Sequence, residues 1–90
     1  MTKVNSVDIS VEQMRQNIID KLSYNTKGVK KADEGKFKEA SDWFTQAIEL
    51  APDDSMSYFN RATVKMNIGD FQGARSDFKL SASFRIRIIR

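Results

Sequence analysis

The sequence predicts an all-α fold, an α-α superhelix of two helical hairpins with a helical extension before the first hairpin and a lengthened final helix. The first observation is a repeat, because landmarks of residues 21–54 return 34 positions later in residues 55–88. The second is that apolar residues follow steps of three and four, which places them on one face of a helix. The matching pairs are Tyr24 and Tyr58, Lys31 and Lys65, Gly35 and Gly69, Phe37 and Phe71, Ala40 and Ala74, and Phe44 and Phe78. A period of this length is typical of stacked helical repeats.

The chain before the first repeat carries a helix-start signal. Residues 1–9 are polar with scattered valines and are predicted to be a flexible terminus, while residues 10–90 are predicted to form one domain. Ser10 is a favourable N-cap residue, and Gln13 follows three positions later as in a capping box. The pattern therefore predicts a helix that starts at Val11.

This first helix is expected to run without a break into the first repeat. No Gly or Pro interrupts the chain between Val11 and Gly28, whereas a break near residues 23–25 would need a stronger turn signal than Ser or Asn. In the continuous form, about three turns of helix project beyond the repeat. The apolar side chains that these turns offer to another molecule are Ile18, Ile19 and Leu22.

The first repeat reads as a helical hairpin. Gly35 can adopt the left-handed conformation that closes a helix, and Pro52 ends the second helix. The apolar stripe of that second helix consists of Phe37, Ala40, Phe44, Ala47 and Ala51. One hairpin leaves an apolar face uncovered, so a second hairpin is expected to stack on it. The rings expected in the resulting core are Phe37, Phe44, Phe71 and Phe78, with Trp43 packed between the hairpins.

Acidic residues in the turns could suggest a catalytic or metal site. The pair Asp53 and Asp54 is the clearest example, but it directly follows a helix-ending proline. One of these carboxylates is expected to cap the next helix and to complement its dipole. The acidic pair therefore predicts a helix start rather than an acid–base or metal site.

The spacing of Tyr24, Gly28, Gly35, Phe37, Ala40, Phe44, Ala47 and Pro52 resembles the tetratricopeptide repeat. The second unit fits the same pattern until Ser81 and Ile86 replace the expected Ala and Pro, which predicts a final helix that runs past the usual end. The resemblance covers residues 21–88. It implies a non-catalytic protein-binding scaffold in which the first helix of each unit lines a concave face. The residues that it places on this face are Asn25, Val29, Asn60, Thr63 and Met66.

Asn60 adds a narrower hypothesis. The run Tyr58-Phe59-Asn60-Arg61 resembles the second unit of the repeat proteins that clamp the C-terminal carboxylate of chaperone tails. In the first unit, Asn25 and Val29 stand where the clamp needs Lys and Asn. A single amide in open water holds a carboxylate weakly, since such sites depend on several converging charged donors.

Three interpretations compete for the last stretch, SASFRIRIIR. The first is an extended helix whose arginine stems cover apolar neighbours. The second is self-association, with a homodimer formed through Phe84, Ile86, Ile88 and Ile89. The third is contact with nucleic acid or anionic lipid through Arg85, Arg87 and Arg90, although three arginines are a weak electrostatic footprint.

Composition limits the remaining function classes. The chain has no Cys and no His, which excludes disulfides and the chemistry of thiolates and imidazoles. Its net charge of +3 is too small to indicate a nucleic-acid partner. No apolar run approaches the roughly 20 residues of a membrane-spanning helix. Together with the scaffold role that the resemblance implies, these limits lead us to expect a non-catalytic cytoplasmic protein that needs no cofactor and binds a protein or peptide partner.

Overall fold

The structure, a computed structural model, describes the backbone of residues 2–89 and the side chains of residues 10–85. Its helices are α1 (Thr2–Asp33), α2 (Phe37–Leu50), α3 (Ser55–Asn67) and α4 (Phe71–Ile89). α1 pairs with α2, and α3 pairs with α4. Between the two hairpins, α3 packs mainly on α2 and also touches α1. The described backbone contains no strand, so the all-α prediction of two stacked hairpins is confirmed.

The first helix is longer than predicted. α1 begins at Thr2 rather than at Val11, because neither Gly nor Pro interrupts the preceding residues and a capping pattern alone does not end a helix. It continues without a break to Asp33, so the continuous form is confirmed. The flexibility of residues 1–9 stays a prediction. None of the helices described between residues 2 and 89 is both long and apolar enough to cross a membrane.

The two hairpin turns share one geometry. Gly35 and Gly69 have φ angles of 78° and 85°, in the left-handed region that glycine adopts without steric cost. In the first turn, Lys36 N donates to Lys31 O and Gly35 N donates to Ala32 O, both at 2.9 Å. This is the Schellman arrangement, which satisfies the last carbonyls of a helix. The predicted role of Gly35 is therefore confirmed.

The turn between the hairpins is held by side chains. Asp54 is the N-cap of α3, where its carboxylate accepts a hydrogen bond from Ser57 N at 3.1 Å. Tyr58 Oη donates to Pro52 O at 2.7 Å and so ties α3 to the preceding turn. The predicted capping role of the acidic pair is confirmed for Asp54.

Small residues let the helices approach closely in the core. Ala40, Ala62 and Ala74 are fully buried, and Phe44 is only 1 % exposed. Phe44 packs with Ala40 and Val64, so it joins the first hairpin to α3 of the second. Its ring also lies against Gly28 of α1, where an added Cβ would come within 2.4 Å of Phe44 Cε1. Gly28 is therefore needed for close approach.

We expect Gly28→Ala to lower the free energy of unfolding by about 1–3 kcal/mol, because the methyl group overpacks the site against Phe44. In an open helix the same change would stabilise by about 1 kcal/mol. Urea denaturation followed by circular dichroism measures the difference. Gly73→Ala is the control, since the atoms nearest to its Cβ would be those of the exposed Asp70 side chain, which can rotate while one of its oxygens still accepts from the backbone N–H of residue 73. Equal effects of the two substitutions would contradict the packing argument.

One of the aromatic residues differs from expectation. Phe71 is 63 % exposed, so its predicted burial is wrong. Its repeat equivalent Phe37 packs against the cluster that contains Val64, whereas no described element covers the same side of the second hairpin. Trp43 is half-buried, with its ring centroid 5.5 Å from that of Tyr24. This contact joins α1 and α2, and the position of Trp43 between the hairpins stays a prediction.

Candidate functional site

α1 and α3 lie side by side and form a groove, called here the α1–α3 groove. It contains two depressions, with volumes of about 390 Å³ and about 240 Å³, that share Val29 and Asn60. The larger one is also lined by Leu22, Asn25, Thr26 and Met56. The smaller one is also lined by Ala32, Asp33, Phe44, Phe59, Thr63, Val64 and Asn67. Asp33 is the only charged residue among these lining residues.

The groove exposes large apolar side chains. Exposed fractions range from 45 % to 58 %, which is high for residues of this type. They follow the helical spacing that puts them on the same side of α1 or α3. The exposed apolar residues that line the two depressions are Leu22, Val29, Met56 and Phe59. Such a contiguous apolar surface is typical of a binding site for another macromolecule.

The larger depression has a polar floor that joins the two hairpins. Asn25 is 9 % exposed, and its Nδ2 donates to Ser57 Oγ at 2.9 Å and to Lys21 O at 3.1 Å. Asn60 Nδ2 donates to Asn25 Oδ1 at 3.1 Å. Lys21 Nζ lies 3.2 Å from Asp54 Oδ1, and Ser57 Oγ donates to Asp54 Oδ2. The contacts of Asn25 with Ser57 and Asn60 and of Lys21 with Asp54 join α1 to α3 and its N-cap, so they position the walls of the groove.

The sequence-predicted groove residues thus have different surroundings. Val29, Thr63 and Met66 are exposed, and Thr63 Oγ1 donates to Phe59 O within α3. Asn25 belongs to the buried floor, and Asn60 donates to it from the edge. Phe59 was not among the groove residues predicted from the sequence. Its spacing from Met56, Thr63 and Met66 on one face of α3 was the signal that could have identified it.

A charged cluster lies outside the groove, within the second hairpin. Asp77 is 2 % exposed and accepts hydrogen bonds from Arg61 Nε at 2.7 Å and Arg61 Nη2 at 3.0 Å. Lys65 Nζ lies 2.9 Å from Asp77 Oδ2, and Arg61 Nη1 donates to Thr45 Oγ1 of α2 at 3.0 Å. Burial alone would raise the pKa of the Asp77 carboxyl, but the hydrogen bonds from Arg61 and Lys65 outweigh burial and lower the pKa. The cluster fastens α4 to α3 and α3 to α2.

Equivalent positions of the two repeats make different contacts at this place. Arg61 and Asp77 stand 34 positions after Lys27 and Trp43. In the first hairpin, Lys27 Nζ lies 4.8 Å from the centroid of the Trp43 ring. The second hairpin therefore has an ion pair where the first has a cation–π contact.

The described part of the predicted self-association surface is partly covered. Phe84 is half-buried, and its ring centroid lies 5.5 Å from that of Tyr58. The side chains of Ile86, Ile88 and Ile89 lie outside the described residues. Arg85 is exposed, whereas Arg87 and Arg90 also fall outside that range. The extended form of α4 is confirmed, because it reaches Ile89.

The projecting part of α1 is apolar and exposed, as the sequence predicted. Ile18, Ile19 and Leu22 are 54 %, 58 % and 56 % exposed. Met14 and Ile18 also line a cleft of about 240 Å³ with Leu50 and Pro52 at the end of α2. The apolar surface of the groove therefore continues along α1 beyond the first hairpin.

Comparison with known proteins agrees with this architecture. Models of the tetratricopeptide repeat match residues 23–54 and residues 43–76. The chain is 34 % identical over 71 residues to tetratricopeptide repeat protein 36 homolog of Nematostella vectensis, a match that covers 78 % of this chain and 39 % of that protein. It is 34 % identical over 65 residues to an uncharacterized protein of Methanocaldococcus jannaschii, covering 72 % of this chain and 76 % of that protein.

The chain spans about two fifths of the length of the Nematostella relative. The family matches support a general role in protein–protein interaction, which is typically non-catalytic. Two in-phase repeats, two left-handed glycine turns and stacked hairpins all agree with these matches. The chain therefore belongs to the tetratricopeptide-repeat family and contains two repeats.

Proposed function

We propose that this chain is a non-catalytic cytoplasmic module that binds an apolar, weakly charged segment of a protein partner in the α1–α3 groove. The observation that carries the proposal is the cluster of exposed apolar side chains around a preformed groove. Burying one such side chain fully contributes about 1.5–3 kcal/mol, so a few contacts suffice for recognition. Thr63 and Asn60, whose Nδ2 donates one hydrogen bond to Asn25, are the polar groups of the lining that can orient the bound chain.

The charge of the groove favours an apolar partner over an acidic one. Neither depression has Lys or Arg among its lining residues. The one charged residue in these two lining sets is Asp33. Lys21, which lies nearby on α1, is already paired with Asp54. A carboxylate clamp needs several converging cations, and Asn60 already donates a hydrogen bond to Asn25. We therefore favour an apolar segment over a free C-terminal carboxylate.

The other two hypotheses from the sequence keep the status of predictions. Nucleic-acid binding would use Arg85, Arg87 and Arg90, and C-terminal self-association would use Phe84 with Ile86, Ile88 and Ile89. Most of these side chains fall outside residues 10–85. A steep loss of nucleic-acid affinity with added salt would identify the first, since phosphate contacts release counterions.

Selection from a displayed peptide library against the full chain tests the proposal. We expect enriched peptides to be apolar and weakly charged, and Met56→Glu with Val29→Glu to weaken their binding at least tenfold. The physical reason is that each glutamate places a charge where an apolar side chain should be buried. Fluorescence anisotropy of labelled peptides measures the dissociation constants.

Leu80→Glu is the matched control, because Leu80 is 40 % exposed on α4 and lies outside the groove. It should leave peptide affinity within about twofold of wild type, a change of less than about 0.5 kcal/mol. Enrichment of acidic C-terminal peptides, or equal affinity for the groove variant and the control, would contradict the proposal.

A further inference from the structure

The apolar stripe on α1 continues from the projecting segment into the groove. Val11, Ile18, Leu22 and Val29 are between 40 % and 56 % exposed. At 100° per residue, their steps of seven, four and seven keep all four within roughly 40° of arc on the helix. The stripe is about 27 Å long at 1.5 Å per residue.

The stripe is also symmetric about Asp20. Reading α1 backwards from this position places Val11 opposite Val29 and Ile18 opposite Leu22. A second α1 laid antiparallel would therefore match Val with Val and Ile with Leu. Asp20 itself lies about half a turn away from the stripe, so the two copies of this carboxylate would not face each other.

Charge does not oppose this pairing. Between Val11 and Val29, the charged residues nearest the stripe are Arg15, about 20° from its edge, and Lys21, about 60° from it and already paired with Asp54. Arg15 Nη1 lies 3.9 Å from Glu12 in the same helix, and its side chain is 69 % exposed. Reversal about Asp20 places Arg15 opposite Asn25, which is neutral. Interface centres are typically depleted in charge in this way.

We propose that two copies of this chain pair antiparallel through α1, so that the projecting half of one α1 occupies the α1–α3 groove of the other. This inference rests on the proposed function, because it names the occupant of the same groove. In such an isologous dimer each copy contributes the same surface. The partner's stripe would lie over Leu22, Val29 and Met56, which line the larger depression.

The available area covers a large part of what a dimer needs. A standard interface covers about a tenth of a small protein's surface, or roughly 650 Å² of the 6483 Å² of this chain. The face is two helices wide along the groove and one helix wide along the projecting half, so over the length of the stripe it averages roughly 27 by 15 Å. This face can supply somewhat more than half of that surface.

Engineered cysteines test the arrangement, because the natural chain has none. Val11→Cys and Val29→Cys variants of this chain should each resist crosslinking alone, since equivalent positions in the two copies lie about 27 Å apart. Their mixture should give a disulfide-linked dimer as the main product under a mild oxidant, because the two positions meet. Gel electrophoresis without reductant measures the product. Crosslinking of the Val11→Cys protein alone would indicate a parallel pair and overturn the proposal, and an uncrosslinked mixture would also overturn it.

Light scattering on the protein as it elutes from a size-exclusion column measures its mass and provides a second test. Wild type should have twice the mass of the 10.3 kDa chain, and Ile18→Asp should weaken dimerisation at least tenfold, whereas Leu80→Asp should not. A monomeric wild type, or dissociation by Leu80→Asp, would overturn the inference. If the wild type is monomeric but still binds groove-dependent peptides, this inference fails while the proposed function stands.

Discussion

Replacing Asp77 by alanine is expected to lower the free energy of unfolding by about 3–5 kcal/mol, because two cations then lose their buried anion. Arg61 donates to both carboxylate oxygens, and Lys65 lies 2.9 Å from one of them. The side chains of these two cations are only 18 % and 22 % exposed, so water cannot fully replace the carboxylate. Urea denaturation at neutral pH measures the loss.

Asp42→Ala is the control for the loss of one carboxylate. Asp42 lies 3.9 Å from Lys38, and both side chains are largely exposed. Surface ion pairs of this kind contribute about 0–1 kcal/mol. Similar effects of the Asp77 and Asp42 substitutions would show that the buried cluster does not stabilise the second hairpin.

The same cluster predicts a dependence of stability on acid pH. The pKa of Asp77 is lowered in the folded chain, since the hydrogen bonds from Arg61 and Lys65 outweigh the effect of burial, which alone would raise it. Its contribution is therefore complete above the unfolded pKa of about 4 and is lost as pH falls through the lower folded value. The wild type should lose more stability than Asp77→Ala when the pH falls from about 6 to below 4. Equal losses of stability in the two proteins would contradict a lowered pKa of Asp77 in the folded chain.

Replacing Phe44 by alanine is expected to cost about 3–5 kcal/mol, because it removes a buried ring and leaves a cavity. Phe44 packs against Ala40, Val64 and Gly28, so the cavity would lie where the two hairpins meet. Total stability for 90 residues is roughly 5–14 kcal/mol, so this substitution removes a large share of it. Thermal unfolding measured by circular dichroism gives the change.

Phe78→Ala is the matched control from the second repeat. Phe78 is half-buried and packs edge-on against Phe59, with ring centroids 5.5 Å apart. Its loss leaves a site that solvent can partly fill, so the cost should be smaller than for Phe44. An equal or larger cost for Phe78→Ala would mean that the second hairpin, rather than the contact between hairpins, is the main core.

Local patterns in the chain predicted the helices, the turns and the family. Gly35 and Gly69 occupy left-handed turns, and Asp54 caps α3, because these conformations depend on a few neighbouring atoms. The apolar steps of three and four identified the buried faces for the same reason. The start of α1 was missed, because a capping pattern favours a helix start without requiring one.

Contacts between distant segments could not be read in the same way. Asn25 and Val29 looked alike as groove residues, but packing of α3 against α1 buries Asn25 and leaves Val29 exposed. Phe71 has the same position in its repeat as Phe37, yet it is exposed because no described helix lies over it. Nothing near Asp77 in the sequence distinguishes it from a surface carboxylate, and only the packing of α3 against α4 brings Arg61 and Lys65 to it. Helical periodicity depends on near neighbours, whereas the surroundings of a side chain depend on which helices meet in space.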